Sequence, residues 1–102
     1  MPIKIDPENS ETKALFDFAG DITGLRVLEI GCGEGRLTWR YALQAAHVTA
    51  IDPNKEKIQR AISGTPPALK DKVVFHACEL EDFAAGEGLG QTFDLAILSW
   101  SL

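Results

Sequence analysis

Three glycines at every second position form the segment of this sequence that is best suited to bind a ligand. Gly31, Gly33 and Gly35 follow directly after the compact apolar run of residues 27–30. Glycine allows a sharp backbone turn and lets a ligand approach the main chain closely. A helix after such a turn would offer free amide groups and a partial positive charge, which stabilise a ligand carboxylate. The pattern therefore predicts a ligand-binding turn.

Two acidic residues stand where the next two predicted strands end. Asp52 ends the second strand, about 20 residues after the glycine turn, and Glu79 comes just past the third strand. In an open parallel sheet, ligands bind outside the carboxyl ends of the strands, where the strand order reverses. An acid at that place can accept two hydrogen bonds from ribose hydroxyls. The turn and the two acids together indicate a nucleoside-type ligand.

The elements that must position these residues alternate between strand and helix. Strands are predicted over residues 27–30, 48–52, 73–78 and 93–100, and helices over residues 36–46 and 55–62. A polar segment, residues 1–10, precedes a further short amphipathic helix that ends at Gly20. The strands are almost continuous in apolar residues, which is typical of parallel strands covered on both faces. Right-handed crossovers between them predict an α/β fold, a Rossmann-like doubly wound parallel sheet with flanking helices.

The composition limits the compartment and the partners. The chain has 102 residues, of which 45% are hydrophobic and 25% charged, and its formal net charge is −5. This acidic balance argues against nucleic acid and against an anionic membrane surface as partners. The sequence has no recognisable signal peptide and no apolar run near the ~18 residues that span a bilayer. We therefore expect a cytoplasmic protein.

The cysteines and histidines predict neither a disulfide nor a metal site. Cys32 and Cys78 should lie about 10 Å apart at strand ends, which is too far for a disulfide. A reactive Cys32 is one interpretation, and a small side chain in a tight turn is the other. His47 and His76 lie apart without a cluster of metal ligands, so structural roles are favoured.

A purely structural turn is one alternative for the glycine turn, and a different nucleotide-binding pattern is another. The dinucleotide fingerprint requires a glycine three residues after the second one, where this chain has Arg36. A bulky charged side chain there would hinder helix–strand packing and the approach of a pyrophosphate, which weighs against an NAD-dependent oxidoreductase. No Gly-Lys-Ser/Thr follows, so a P-loop is excluded. The second glycine triplet, residues 86–90, has no strand before it and is predicted to be a loop.

At this point the sequence resembles the class I S-adenosylmethionine-dependent methyltransferases. Residues 27–35 are very similar to the first motif of that family. Residues 48–53, 77–83 and 93–102 resemble its second, third and fourth motifs in the correct order and spacing. The resemblance covers about residues 24–102, after an N-terminal segment and helix in residues 1–23. It implies S-adenosylmethionine as the cofactor and a small molecule as the methyl acceptor.

The resemblance implies roles for residues at the methionine end of this cofactor. Glu29 would help to fix the methionine amino group. Gly31 and Gly33 would line the methionine moiety through their backbones, with Cys32 between them. Ser99, at the end of the fourth strand, would lie beside the same group.

The resemblance also implies roles at the nucleoside end. Asp52 would bind the ribose diol, and Pro53 would lie near the adenine face. Glu79 would reach the adenine amine, and Leu80 would offer a backbone amide to the ring. The cofactor carries a sulfonium and an ammonium, which nearby carboxylates stabilise. Methyl transfer is a direct displacement that depends mostly on alignment, and a base is needed only if the acceptor must lose a proton. No catalytic residue is therefore assigned.

The chain departs from the family in the extent of its sheet. The family's sheet has seven strands in the order 3-2-1-4-5-7-6, whereas the resemblance here ends with the fourth. We therefore expect a sheet truncated after the fourth strand, with the order 3-2-1-4 and an apolar edge over residues 94–100. A truncated product, a fragment, and a unit that associates with itself through that edge are all compatible with this pattern. An active methyltransferase and a non-catalytic cofactor-binding or assembly module are the two functional hypotheses.

Overall fold

A single parallel sheet organises the part of the chain that the computed structural model describes, residues 3–6 and 22–99. Its strands are β1 (Ile3–Asp6), β2 (Arg26–Ile30), β3 (His47–Asp52), β4 (Val73–Ala77) and β5 (Leu95–Ser99), in the order β1-β5-β2-β3-β4. The helices are α1 (Thr38–Tyr41), α2 (Lys55–Gly64) and α3 (Leu80–Ala85), with a 3₁₀ turn at Pro67–Leu69. No helix among the described residues is long and apolar enough to cross a membrane.

The strands β2 to β5 are the four strands that the sequence predicts. Their spatial order confirms the predicted arrangement 3-2-1-4, and every neighbouring pair is parallel. The register places Ile30 beside Ile51 and Asp52 beside Ala77. Because the carboxyl ends of parallel strands meet at one edge, the segments that follow β2, β3 and β4 come together there.

The N-terminal strand corrects the expectation of an exposed fourth strand. Residues 3–6 were expected to be a polar segment, but they pair with β5 in parallel, from Ile3 opposite Ala96 to Asp6 opposite Ser99. The edge of β5 offers a row of unpaired backbone groups on an apolar strand, and this long-range pairing outweighs the weak local signal. Strand β5 is therefore an interior strand of this sheet. The helix predicted to end at Gly20 lies outside the described residues.

Two helices differ from their predictions. The helix predicted over residues 36–46 is helical only from Thr38 to Tyr41. Beyond it, the Gln44 amide donates to the Tyr41 carbonyl, and the Ala46 amide donates to the Leu25 carbonyl at 2.8 Å. The chain must turn back here because β3 begins at the next residue. Helix α3 was missed because it has only six residues, which is too short for an apolar period to be recognised.

Apolar side chains cover both faces of the sheet. Alternate residues of β2 point to opposite faces, so Val27 belongs to the larger cluster and Leu28 to the smaller one. The larger cluster includes Leu37 and Tyr41 from the segment around α1. The smaller cluster contains Phe83 of α3. This two-sided cover fixes the strand ends on which the candidate site is built.

Candidate functional site

The glycine turn adopts a conformation that requires glycine. The φ angles of Gly31, Gly33 and Gly35 are +81°, +58° and +91°, in the left-handed region that side chains disfavour. A Cβ atom on Gly31 would collide with the backbone carbonyl oxygen of Ser99, which is itself a buried residue. A Cβ atom on Gly35 would lie 2.6 Å from the Trp39 ring. The turn is thus packed closely between the end of β5 and helix α1.

Main-chain hydrogen bonds hold the turn against the end of β3. The amides of Gly31 and Cys32 both donate to the Ile51 carbonyl, at 2.8 and 3.1 Å. The Gly33 amide donates to Oδ2 of Asp52 at 2.9 Å. The first predicted signal, the glycine turn, is therefore bonded directly to the second, the acid that ends β3.

The carboxylate of Asp52 is fixed by two backbone amides. Its Oδ1 accepts a hydrogen bond from the Asn54 amide at 2.9 Å, in addition to the bond from Gly33 to Oδ2. The residue is 8% exposed. A carboxylate oxygen has two lone pairs, so each oxygen retains one for a further donor. This arrangement suits a ligand that presents two adjacent hydroxyl groups.

A cleft of about 240 Å³ opens at the same edge of the sheet. Four of the predicted site residues line it, namely Gly31, Pro53, Glu79 and Leu80, whereas Asp52 lies between two lining residues, Ile51 and Pro53, and is not itself one of them. Four residues that sequence reasoning missed complete its lining: Ile30, Ile51, Cys78 and Glu81. Three of these four immediately precede Gly31, Asp52 and Glu79, and the fourth lies two residues after Glu79. Adjacency to the predicted residues was the signal that could have found them. The cleft combines apolar walls with two exposed carboxylates, from Glu79 and Glu81.

Glu29 lies beneath the turn rather than in the cleft. Its side chain is fully buried, and its Oε1 accepts hydrogen bonds from Thr38 Oγ1 at 2.6 Å and from Tyr41 Oη at 2.7 Å. Burial, together with the neighbouring Glu29 carboxylate, raises the pKa of Tyr41 well above its ordinary value. The tyrosine is therefore a proton donor to the carboxylate at all ordinary pH values.

Both cysteines are free thiols, as the spacing argument predicts. Cys32 is 2% exposed. Burial raises the pKa of its thiol strongly, and the carboxylates of Glu29 and Asp52 raise it further. Because the thiolate is the nucleophilic form, this thiol is not activated, and the turn needs a small side chain here.

Two other electrostatic features of the site are small or absent. Helix α1 has one turn, so few peptide dipoles are aligned and the positive charge expected at its start is weak. Within residues 3–6 and 22–99, no group of three or more His, Cys, Asp or Glu side chains could hold a metal ion. The main charges near the cleft are carboxylates, which stabilise a cationic ligand.

The fold, the glycine turn and the acid at the end of β3 together define a Rossmann-like ligand-binding domain. Residues 22–102 match the family described as a methyltransferase domain, and the chain belongs to that family. The resemblance identified from the sequence motifs is thereby confirmed.

Two O-methyltransferases are similar to this chain in sequence. The magnesium-protoporphyrin O-methyltransferase of Rhodobacter capsulatus is 40% identical over 67 residues, which are 66% of this chain and 30% of that protein. The mitochondrial ubiquinone biosynthesis O-methyltransferase of Homo sapiens is 32% identical over 80 residues, 76% of this chain and 21% of that protein. The chain thus spans less than a third of either protein's length.

Solved structures share the fold. The magnesium protoporphyrin IX methyltransferase of Synechocystis PCC 6803, crystallised with bound S-adenosylmethionine, superimposes with a TM-score of 0.68 at 22% identity, covering 88% of this chain and 43% of that one. An arsenic(III) S-adenosylmethionine methyltransferase from Chlamydomonas reinhardtii gives a TM-score of 0.66 at 30% identity, covering 76% of this chain and 29% of that one.

Proposed function

We propose that this chain is the cofactor-binding half of an S-adenosylmethionine-dependent methyltransferase that acts on a small molecule. The observation that carries the proposal is the carboxylate of Asp52, which two backbone amides hold beside a cleft at the carboxyl edge of the sheet. Membership of the methyltransferase family and the bound S-adenosylmethionine of the Synechocystis relative support it.

The polar and apolar groups of the site fit this cofactor part by part. Asp52 has one lone pair left on each oxygen for the ribose diol. The apolar walls from Ile51 and Pro53 suit the flat adenine ring, and Glu79 offers an acceptor for its amine. The narrow turn at Gly31, which a Cβ atom would fill, leaves main-chain groups for the amino-acid end.

When bound, S-adenosylmethionine supplies an electrophilic methyl group on its sulfonium. The residues of this chain contribute binding and orientation, and the nearby carboxylates stabilise the positive charge. The names of the Rhodobacter and human relatives favour an oxygen atom of a small molecule as the acceptor. An acceptor hydroxyl would also have to release its proton, and we assign that step to no residue of this chain.

Calorimetric titration with S-adenosylhomocysteine, the demethylated product, tests the proposal. We expect saturable binding with one ligand per chain. Replacing Asp52 by alanine removes a charged acceptor and should weaken binding about 10- to 100-fold. Asp71→Ala, in an exposed loop before β4, is the matched control and should bind like the wild type. Absence of binding to the wild-type chain would contradict the proposal.

The alternative is a non-catalytic module that binds the cofactor without transferring its methyl group. It is favoured by the composition of the site, in which a glycine turn and an acid held by backbone amides can bind and orient a ligand and no residue is assigned a chemical step. Both functions predict binding, so turnover separates them. Release of S-adenosylhomocysteine from S-adenosylmethionine in the presence of small phenolic or carboxylic acceptors would exclude the non-catalytic module.

A further inference from the structure

We propose that Thr38 and Tyr41 are positioning residues for the ligand site. They hold the Glu29 carboxylate from the far side of the glycine turn and so fix the shape of that turn. We call these three residues the hydroxyl–carboxylate clamp. The inference rests on the proposed function, because it assigns the clamp to the amino-acid end of S-adenosylmethionine.

The clamp joins the two elements that flank the turn. Glu29 belongs to β2, which enters the turn, and the two hydroxyls belong to α1, which leaves it. Both hydroxyls donate to the same oxygen, Oε1, at 2.6 and 2.7 Å. All three side chains are fully buried. Residues 31–37, which include the three glycines, therefore form a loop whose two flanking elements are tied together by side chains.

The two hydrogen bonds of the clamp are short, and their acceptor is buried. Hydroxyl–carboxylate bonds of this length are charge-assisted and about twice as strong as neutral ones. Removing one donor leaves a buried carboxyl oxygen with less hydrogen bonding, which favours a shift of α1 or the entry of water. The Trp39 ring of α1 packs against Gly35, so movement of the helix would be passed to the turn.

The nucleoside side of the site shares one support with the turn and has two that do not involve it. The Asp52 carboxylate accepts a bond from Gly33 of the turn and one from Asn54, and the Asp52 carbonyl accepts one from the Cys78 amide at 3.1 Å. Loosening the clamp should therefore affect the amino-acid end of a ligand more than its nucleoside end. General destabilisation of the fold would affect both ends alike, so this difference identifies a positioning role.

The test compares two ligands on the full chain by calorimetry. S-adenosylhomocysteine has the amino-acid end, and methylthioadenosine has the same nucleoside thioether without it. For Thr38→Val and Tyr41→Phe we expect an approximately tenfold loss of affinity for S-adenosylhomocysteine, because the turn beside its amino-acid end is no longer fixed by the clamp. The affinity of both variants for methylthioadenosine should stay within about twofold of the wild type, because the bonds from Asn54 and Cys78 that support the nucleoside side are kept.

Two further variants serve as controls. Thr38→Ser keeps the hydroxyl and should restore the affinity for S-adenosylhomocysteine. Thr49→Val makes the same change as Thr38→Val at another buried threonine, in β3 and outside the clamp, and should leave both affinities unchanged. If Tyr41→Phe does not fold, as judged by thermal unfolding, Thr38→Val and Thr38→Ser carry the comparison.

The outcomes separate the two proposals. A wild-type chain that binds neither ligand would overturn the proposed function and the clamp with it. A wild-type chain that binds both ligands, with variants that lose both equally or lose neither, would overturn the clamp alone. Loss of S-adenosylhomocysteine binding in Thr38→Val, with rescue in Thr38→Ser, supports it.

Discussion

Gly31 and Gly24 have nearly the same φ angle in different surroundings. Their φ angles are +81° and +79°, so an alanine at either position would lie in the left-handed region that side chains disfavour. A Cβ atom on Gly24 would meet nothing within 4 Å, whereas one on Gly31 would collide with the Ser99 carbonyl. The pair therefore separates strain from steric overlap within one protein.

We predict that Gly31→Ala destabilises the fold more than Gly24→Ala does. Strain should cost each variant about 1 kcal/mol of unfolding free energy. Overlap with the backbone should lower the unfolding free energy of Gly31→Ala by a further ~1–3 kcal/mol. Urea unfolding followed by circular dichroism measures both values. Equal losses in the two variants would show that the end of β5 does not constrain the turn.

At the level of single residues, the sequence predicts those positions whose roles follow from local backbone geometry. Gly31 and Asp52 were predicted because a strand end fixes where each must lie. The partners of Glu29 were not predicted, because they depend on how α1 packs on the sheet. The hydroxyls of Thr38 and Tyr41 lie 9 and 12 residues from Glu29, and no local pattern joins them.

Among the elements, β1 has the most direct consequence for association. It pairs with β5 along four residues and so occupies the edge through which the chain was expected to associate with itself. Self-association through β5 is therefore predicted only for a chain from which β1 has been removed. An edge of a long apolar strand, once uncovered, is a template for another chain.

We predict that deletion of residues 1–6 produces concentration-dependent association. The backbone groups of β5 would lose their partners in β1, while the strand itself is almost fully buried and apolar. Sedimentation velocity over a range of concentrations measures the effect. Deletion of residues 1–2 alone, which precede β1, is the control and should match the full chain. A monomeric protein after the longer deletion would contradict this role of β1.

The elements that the sequence predicts well are those whose own residues show a clear apolar pattern. Strands β2 to β5 contain apolar runs of branched residues and were found within one or two residues of their ends. The N-terminal strand, with Lys4 and Asp6 among four residues, has no such run and forms through its neighbour. Helix α1 was predicted too long because its end is set by the return of the chain to β3.

At the scale of the whole molecule, we expect the free energy of unfolding to depend on pH through a histidine at the end of the sheet opposite the cleft. His47 begins β3 at that end, opposite Arg26 in β2. Burial lowers the pKa of His47, and the charge of Arg26 lowers it further. The folded state therefore binds this proton less readily than the unfolded state, whose imidazole has a pKa of about 6.5.

We predict that this histidine destabilises the fold at acidic pH. Its contribution to stability is complete above the unfolded pKa of about 6.5 and is lost as the pH falls below that value toward the lower folded pKa. Urea midpoints measured from about pH 7.5 down to about pH 5.5 should decline more steeply for the wild type than for His47→Gln. Parallel curves for the two proteins would contradict the prediction.

The two hydrogen bonds from backbone amides to Asp52 also affect the entropy cost of binding a ligand there. A free aspartate side chain loses rotamer freedom when it grips a ligand, and immobilising a side chain costs about 0.5–1.5 kcal/mol. Here the amides of Gly33 and Asn54 already fix the rotamer of that side chain, so its conformational entropy is lost during folding and not on binding. The carboxylate is preorganised at this point, so the ribose diol that we propose as its ligand would bind without waiting for the side chain to rotate into place.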